Sequence, residues 1–186
     1  MNVLAIAGSL RAASINAAFC RAAVRMAPPG LKVTVFTGLG ALPHFNPDLD
    51  EAPPQPVVDL RRQVARADAL LLASPEYAHG VSGVMKNALD WLVSFQGFVH
   101  KPVAVVNTSP RAHHAHDALL ETLRTMSAVL VADASITLPL LGAILTEEDI
   151  LGSPAVSSQI HRALTSLESH LRARPDGHAS LESGPH

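Results

Sequence analysis

The fold is decided by ALLLASPEYAHGVSGVMKNALDWL, residues 69–92. The first five residues form an apolar run, which is typical of a strand buried on both faces of a sheet. Apolar residues then recur at helical spacing at Val84, Ala88 and Leu92. The stretch therefore predicts a strand, a loop and a helix. The loop, residues 74–83, holds a proline, an acid, a tyrosine, a histidine and two glycines, which is more chemistry than a bare connection needs.

The same order of strand, loop and helix recurs on both sides of this stretch. Apolar runs predict four more strands, at 3–7, 31–36, 102–108 and 129–138. Helical spacing predicts four more helices, at 15–26, 57–67, 116–126 and 153–172, with Ser153 as the N-cap of the last. Strands joined by helices form a parallel sheet that is covered on both faces. We therefore predict an α/β three-layer sandwich, with a five-stranded parallel sheet of order 2-1-3-4-5.

Length and composition favour one globular domain. Of the 186 residues, 48% are hydrophobic and 16% are charged, which argues against general disorder. We expect the domain to span residues 1–174, followed by a polar, disordered tail at 175–186. The net charge of −2 gives no electrostatic reason to expect a nucleic acid or an anionic membrane as partner. The longest other apolar segment, 136–145, is half the length of a membrane span and contains Pro139, so no membrane anchor is predicted.

The chain has one cysteine, Cys20, so it forms no internal disulfide and no thiolate zinc cluster. The helical spacing around Cys20 predicts that it is a buried helix residue. The apolar run at the N-terminus is shorter than a secretory signal requires and lacks preceding positive charges. These features predict a cytoplasmic protein.

The loop after the first strand is suited to an anion. The segment GSLRAASIN, residues 8–16, places two serines and Arg11 before a predicted helix, whose first N–H groups are free to bind an anion. Two serines and a guanidinium suit a phosphate monoester. The segment is neither a dinucleotide fingerprint nor a P-loop. The alternative is that Ser14 only caps the helix and Arg11 is solvated.

Four segments together resemble the NADPH-dependent FMN reductase family, flavodoxin-like flavoproteins that include quinone, azo-dye and chromate reductases. The segments are GSLRAASIN at 8–16, LPHFNPDLD at 42–50, SPEYAHGVSGVMKNALDWL at 74–92 and KPVAVVNTSP at 101–110. The resemblance implies a flavodoxin-like fold, FMN as cofactor and NADPH or NADH as co-substrate. It also implies a small-molecule electron acceptor: a quinone, a nitro or azo compound, or free flavin.

The resemblance further implies which residues hold the cofactor. The phosphate is assigned to Ser9, Arg11, Ser14 and Asn16, and Ile15 is also assigned to the cofactor. The flavin ring is assigned to the loop of Pro75, Glu76, Tyr77, Ala78 and Gly80, with Ser109 closing the other edge. Gly80 and Gly83 are expected to permit close approach to the ring. No catalytic side chain is expected, because hydride passes directly to flavin N5.

The chain departs from the family pattern at three places. The family usually has Asn where this chain has Ala78, and Pro where it has Ser82. His113 and His114 replace a glycine pair, and we expect one of these imidazoles to reach the substrate opening. A metal site made of these histidines and His116, with His79 or His44, is disfavoured, because the spacing matches no zinc pattern and neighbouring helix residues point apart. No metal is predicted.

Several alternatives remain open from the sequence. Tyr77 is either a flavin contact or an ordinary loop residue that packs on Trp91 or its surroundings. For Glu76 we favour a structural ion pair with Lys86 over acid–base catalysis. The function itself has an alternative: an FMN-binding electron-transfer or interaction protein without NAD(P)H reductase activity. The apolar segment 136–145 and the resemblance both favour a homodimer or homotetramer.

Overall fold

A computed structural model describes residues 1–140 and 146–174. The helices are α1 (Ile15–Arg25), α2 (Gln55–Arg66), α3 (Gly83–Asp90), α4 (His113–Thr125), α5 (Glu147–Gly152) and α6 (Pro154–Ala173). The strands are β1 (Asn2–Ala7), β2 (Lys32–Val35), β3 (Ala69–Ala73), β4 (Glu76–Tyr77), β5 (Gly80–Val81), β6 (Pro102–Asn107), β7 (Val129–Leu130) and β8 (Ile136–Thr137).

The main sheet is parallel and has the predicted order. Its strands lie in the order β2-β1-β3-β6-β7, and β8 also pairs with β6. Since β6 is the fourth predicted strand and β7 with β8 is the fifth, the order 2-1-3-4-5 is confirmed. Strands β1, β3 and β6 run in register, with Ala7 opposite Ala73 and Ala73 opposite Val106. The loops that follow these three neighbouring strands therefore start at the same edge of the sheet.

The residues of each central strand alternate between two cores, one on each face of the sheet. The first core contains Val3, Leu71 and Ala104 with side chains of α1, α5 and α6. The second contains Leu4, Leu70 and Val103 with side chains of α2, α3 and α4. These strands are buried on both sides, which explains why they read as continuous apolar runs. The three-layer α/β sandwich is confirmed.

The fifth predicted strand, 129–138, is wrong as a continuous element. The chain leaves the sheet between β7 and β8 in a short 3₁₀ turn at Ala132–Ala134. The Ser135 hydroxyl accepts a hydrogen bond from the Val105 amide at 3.0 Å and donates one to the Val131 carbonyl at 3.0 Å. A side chain thus replaces one rung of the backbone ladder, and this substitution permits the interruption.

Helix boundaries differ from the prediction at the C-terminal half. Helix α4 begins at His113 instead of residue 116, so both neighbouring histidines lie in its first turn. Helix α5 was not predicted, although Thr146 and Asp149 form a capping box that marks its start. Helix α6 lies within one residue of the prediction, and Ser153 occupies its N-cap position, but the Ser153 side chain makes no capping hydrogen bond.

Trp91 anchors the long connection that precedes α2. Its indole N–H donates to the Pro43 carbonyl at 2.8 Å. The Phe45 ring packs edge-on against the indole ring, with the ring centroids 5.0 Å apart. Asn87 adds a bond from the Phe45 amide at 2.8 Å. The indole N–H of Trp91 is thus hydrogen-bonded within this connection, whereas Tyr77 is 58% exposed.

The apolar segment 136–145 is only partly described. Leu138 and Leu140 are buried in the first core, so they contribute no exposed surface to a partner. Residues 141–145, the other half of the segment used to predict an oligomer, lie outside the described residues, as does the tail at 175–186. Among the helices that are described, none is long and apolar enough to cross a membrane.

Candidate active site

The loops that follow β1, β3 and β6 meet at the carboxyl edge of the sheet. The Gly8 amide donates to the Ala73 carbonyl at 2.7 Å, which joins the first two loops directly. A cavity of about 300 Å³ opens between the three loops. It is lined by Ile15, Asn16, Ser74, Pro75, Glu76, Asn107, Thr108, Ser109, Arg111 and Ala112. Its place, where the strand order reverses, is where open α/β sheets bind ligands.

Buried polar groups are concentrated at this same edge. In residues 1–140 and 146–174, the buried polar or charged residues are Ser14, Asn16, Ser82, Lys101, Asn107 and Thr108. All except Lys101 lie in the loops around the cavity or in the first or last turns and residues of the elements that flank those loops. Burying a polar group costs free energy unless it is hydrogen-bonded, so such a cluster indicates a built site.

The first loop offers backbone donors to the cavity. The Ser14 hydroxyl accepts from the Ala17 amide at 3.3 Å and caps α1, as one sequence interpretation required. The amides of Ile15 and Asn16 donate to no acceptor within the described residues. Both residues line the cavity, whereas Ser9, Arg11 and Ser14 do not. The Ser9 hydroxyl accepts from the Arg11 amide at 3.3 Å and shapes the loop.

A buried hydrogen bond between two lining residues joins the start of α1 to the loop after β6. The Thr108 hydroxyl donates to Asn16 Oδ1 at 2.9 Å, and both residues are buried. Asn107 Oδ1 accepts from the Ser109 amide at 3.0 Å, which fixes the start of that loop. Sequence reasoning named Ser109 but missed Asn107 and Thr108. The available signal was the change from apolar to polar residues at the carboxyl end of a buried strand.

A cluster of hydroxyl groups locks the first loop against the loop after β3. The Ser82 hydroxyl donates to the Gly8 carbonyl at 2.7 Å, and it lies 3.2 Å from the Ser74 hydroxyl. Ser82 also caps α3 by accepting from the Met85 amide at 3.4 Å. The serine that replaces the family's proline therefore makes a cross-loop bond that proline lacks.

The glycine that close packing requires is Gly8. A Cβ there would lie 2.7 Å from Ser74 Oγ and 3.0 Å from Met85 Cβ. A Cβ at Gly83 would meet nothing within 4 Å, and one at Gly80 would make only an ordinary contact at 3.5 Å. Among these three glycines of the site, sterics thus require Gly8 of the first loop, where the sequence had pointed to Gly80 and Gly83.

Strands β4 and β5 form a two-stranded hairpin between β3 and α3. Its turn residues Ala78 and His79 have φ of 49° and 58°, in the left-handed region that Asn and Gly tolerate best. This explains why asparagine suits position 78 in the family pattern. Pro75 and Glu76 line the cavity, whereas Tyr77, Ala78 and Gly80 are absent from its lining.

Glu76 does not pair with Lys86, so the expected ion pair is wrong. Its carboxylate accepts from the Ala115 amide at 2.8 Å, in the first turn of α4. Lys86 pairs instead with Asp90, four residues along α3. Local helix spacing explains the second pair. The first joins residues 39 apart in sequence, and no local pattern predicts it.

The histidines form a stack outside the cavity. The rings of His79 and His114 stack at an interplanar angle of 24° with centroids 4.3 Å apart, and the ring of His113 is tilted by 38° to that of His114 with centroids 4.1 Å apart. None of the three lines the cavity, so the expected imidazole at the substrate opening is not placed there; Arg111 lines it instead. No group of three or more His, Cys, Asp or Glu in the described ranges could hold a metal ion.

Cys20 is a buried residue of α1, as predicted. Burial raises the pKa of its thiol to about 12. A thiol with so high a pKa is not a nucleophile at neutral pH, because the thiolate is the reactive form. Cysteine chemistry therefore plays no part in this site.

Comparison with known proteins agrees with this architecture. Residues 1–139 match the family model for NADPH-dependent FMN reductase. An NAD(P)H-dependent FMN reductase of Pseudomonas aeruginosa is 38% identical over 112 residues, 59% of this chain and 60% of that protein. A quinone reductase of Pseudomonas putida is 38% identical over 115 residues, 60% of this chain and 61% of that protein. The matches thus span about 60% of the length of these curated relatives.

Solved structures share the fold over more of the chain. The flavoenzyme NAD(P)H:(acceptor) oxidoreductase FerB from Paracoccus denitrificans aligns with a TM-score of 0.70 at 24% identity, covering 91% of this chain and 98% of that one. The flavodoxin-like fold is confirmed. Since the family model covers three quarters of the chain, including all three loops of the cavity, this protein belongs to the NADPH-dependent FMN reductase family.

Proposed function

We propose that this protein is an FMN-dependent oxidoreductase that takes electrons from NADPH or NADH and passes them to a small acceptor. A quinone is the acceptor class that the names of its relatives favour, with nitro or azo compounds and free flavin as others. The observation that carries the proposal is the cavity between the loops after β1, β3 and β6, which is surrounded by buried, hydrogen-bonded polar residues. Family membership supplies the cofactor and the co-substrate.

The residues around the cavity fit FMN. At one end, the free amides of Ile15 and Asn16 and the positive end of α1 suit a phosphate, and Arg11 on the adjoining loop adds a guanidinium. Ser9 and Ser14 shape and cap the same loop. At the other end, Pro75 and Ala112 offer apolar contact, while the backbone of residues 74–76 and 109–112 offers polar groups at the edges of a flat ring. Tyr77, Ala78 and Gly80 stand beside this wall on the hairpin.

In this proposal the protein positions FMN and its substrates and keeps water away from the flavin. Bound FMN supplies the hydride chemistry, because it accepts hydride from a nicotinamide and returns electrons to an acceptor. The chain's residues hold the phosphate, fix the plane of the ring and exclude water from one face. No described acid or base is required to move a proton from the nicotinamide. The cavity is open to solvent at its mouth, which suits alternating entry of two substrates.

The same proposal includes the cellular location and the oligomeric state of the enzyme. Its single, buried cysteine supports a reducing, cytoplasmic location. Family resemblance supports a homodimer or homotetramer, with residues 1–174 as the flavin-binding domain. Light scattering that gives the monomer mass of 19.6 kDa at micromolar concentration would contradict the oligomer.

One observation favours a second candidate, a flavin protein that does not react with NAD(P)H itself. His113 and His114 follow directly after the lining residues Arg111 and Ala112, and the ring of His79 stacks on that of His114. If these three rings turned toward the mouth of the cavity, they would leave less space for a nicotinamide. Anaerobic mixing of the FMN-loaded protein with NADPH or NADH separates the candidates, because only the reductase loses its flavin colour.

Replacing Arg11 with alanine is expected to weaken FMN binding about ten-fold. Arg11 is exposed, so its contribution should lie near the low end of the range for charged hydrogen bonds, about 1.5 kcal/mol. The dissociation constant is measured by quenching of FMN fluorescence. Arg62→Ala, on the exposed face of α2, is the matched control. Equal affinities for Arg11→Ala and the control would remove Arg11 from the phosphate site.

A further inference from the structure

Helix α4 lacks a cap from its own neighbourhood. Its N-cap position is Ala112, which has no side chain able to accept a hydrogen bond. The first amides of any helix need acceptors from elsewhere. For α4, the Ala115 amide finds the carboxylate of Glu76, at 2.8 Å, across from the hairpin. Glu76 therefore acts as an N-cap supplied by another element.

This hydrogen bond joins the chain segments that form two walls of the cavity. Glu76 belongs to the wall formed by residues 74–76, and Ala115 follows a second wall formed by residues 107–109, 111 and 112. A bond between them sets the separation of the two walls. It also places the carboxylate at the positive end of α4, where the helix dipole compensates its charge. Among the described residues that line the cavity Glu76 is the one acid, and the helix dipole reduces its repulsion of an anionic ligand.

A second contact joins the same two elements at the far end of the hairpin. The imidazole of His79 stacks on that of His114 with centroids 4.3 Å apart. His79 holds a left-handed backbone conformation that costs energy for a residue with a side chain. The stack helps to offset that cost. The hairpin is thus fastened to α4 at its base through Glu76 and at its tip through His79.

We infer that Glu76 is a positioning residue: its carboxylate caps α4 from the hairpin and so holds the two walls of the cavity at the separation that FMN requires. The positioning role rests on the proposed function, because FMN is its ligand. The hydrogen bond from the Ala115 amide to Glu76 does not depend on that function. Glu76 takes no proton from substrate in this account. Its effect on the reaction passes through the geometry of the walls.

The test compares Glu76→Ala with Glu76→Gln. The alanine variant loses the cap, and FMN should bind about ten-fold more weakly, within the range known for lost helix caps. The glutamine variant keeps an acceptor oxygen in the same place, so its affinity should stay within about three-fold of wild type. Glu121→Ala removes an exposed acid from the same helix and should leave FMN affinity unchanged.

A measurement without FMN tests the cap separately. Hydrogen exchange of the Ala115 amide should be slow in the wild-type protein and in Glu76→Gln, and at least about ten-fold faster in Glu76→Ala. Equal exchange in wild type and Glu76→Ala would disprove the cap. Equal FMN affinity in those two proteins would disprove the positioning role. Wild-type protein that binds no FMN would contradict the proposed function and the positioning role together, and the exchange rates would still decide whether the cap exists.

Discussion

Gly8→Ala is expected to lower the free energy of unfolding by about 1–3 kcal/mol, the usual cost of overpacking a tight interior contact. The added Cβ would lie 2.7 Å from Ser74 Oγ and 3.0 Å from both Ser82 Oγ and Met85 Cβ. Ser74 can rotate away. Met85 Cβ is fixed to the backbone of α3, however, so the first loop and α3 must move apart.

That movement should also affect the cavity. The Gly8 carbonyl accepts the bond from Ser82, and the Gly8 amide bonds to Ala73, so a shift disturbs both links between the loops. We expect weaker FMN binding together with a lower melting temperature, about 2–4 °C for each kcal/mol at this size. Gly83→Ala is the control, since its Cβ would meet nothing within 4 Å. Equal melting temperatures for the two variants would contradict this account of Gly8.

Thr108→Val is expected to cost about 1–3 kcal/mol of stability, because it leaves a buried acceptor without its donor. Valine has almost the shape of threonine, so packing changes little. What disappears is the hydrogen bond of 2.9 Å from the Thr108 hydroxyl to Asn16 Oδ1. Both residues are buried, and water has poor access to replace the lost donor. Asn16 lines the cavity, so FMN affinity should fall as well.

Thr108→Ser separates the hydroxyl from the methyl group. Serine keeps the donor and loses a methyl, so chemical denaturation should place it between wild type and Thr108→Val in stability, with FMN affinity close to wild type. If the serine and valine variants are destabilised equally, the Thr108 hydroxyl does not link the first loop to the loop after β6.

The sequence predicted those parts of the fold that follow from local periodicity. The buried strands are continuous apolar runs, and helices α1 and α2 have clear amphipathic spacing, so their order and the sheet order were accessible. The break between β7 and β8 was not, because it depends on one hydroxyl, that of Ser135, replacing a ladder bond with Val105. Helix α5 was missed although the sequence TEED at 146–149 carries its capping signal.

At the site, the sequence predicted which loops meet but not how they are joined. Strand order alone brings residues 8–16 and 74–83 together. The bond from Ser82 to Gly8 joins these two loops, and the bond from Thr108 to Asn16 joins the first of them to the loop after β6; the bonded residues are 74 and 92 apart in sequence. Such pairs leave no local pattern. The same reason explains why Glu76 was assigned to nearby Lys86 and not to Ala115.

The central claim is that this cavity binds FMN and that NADPH or NADH reduces it there. The most direct measurement loads the purified protein with FMN, removes free cofactor and oxygen, and follows the flavin absorbance after mixing with each nicotinamide. The account predicts one FMN per chain and rapid loss of the flavin colour with at least one nicotinamide. Protein that takes up no FMN, or bound FMN that keeps its colour with both nicotinamides, would contradict it.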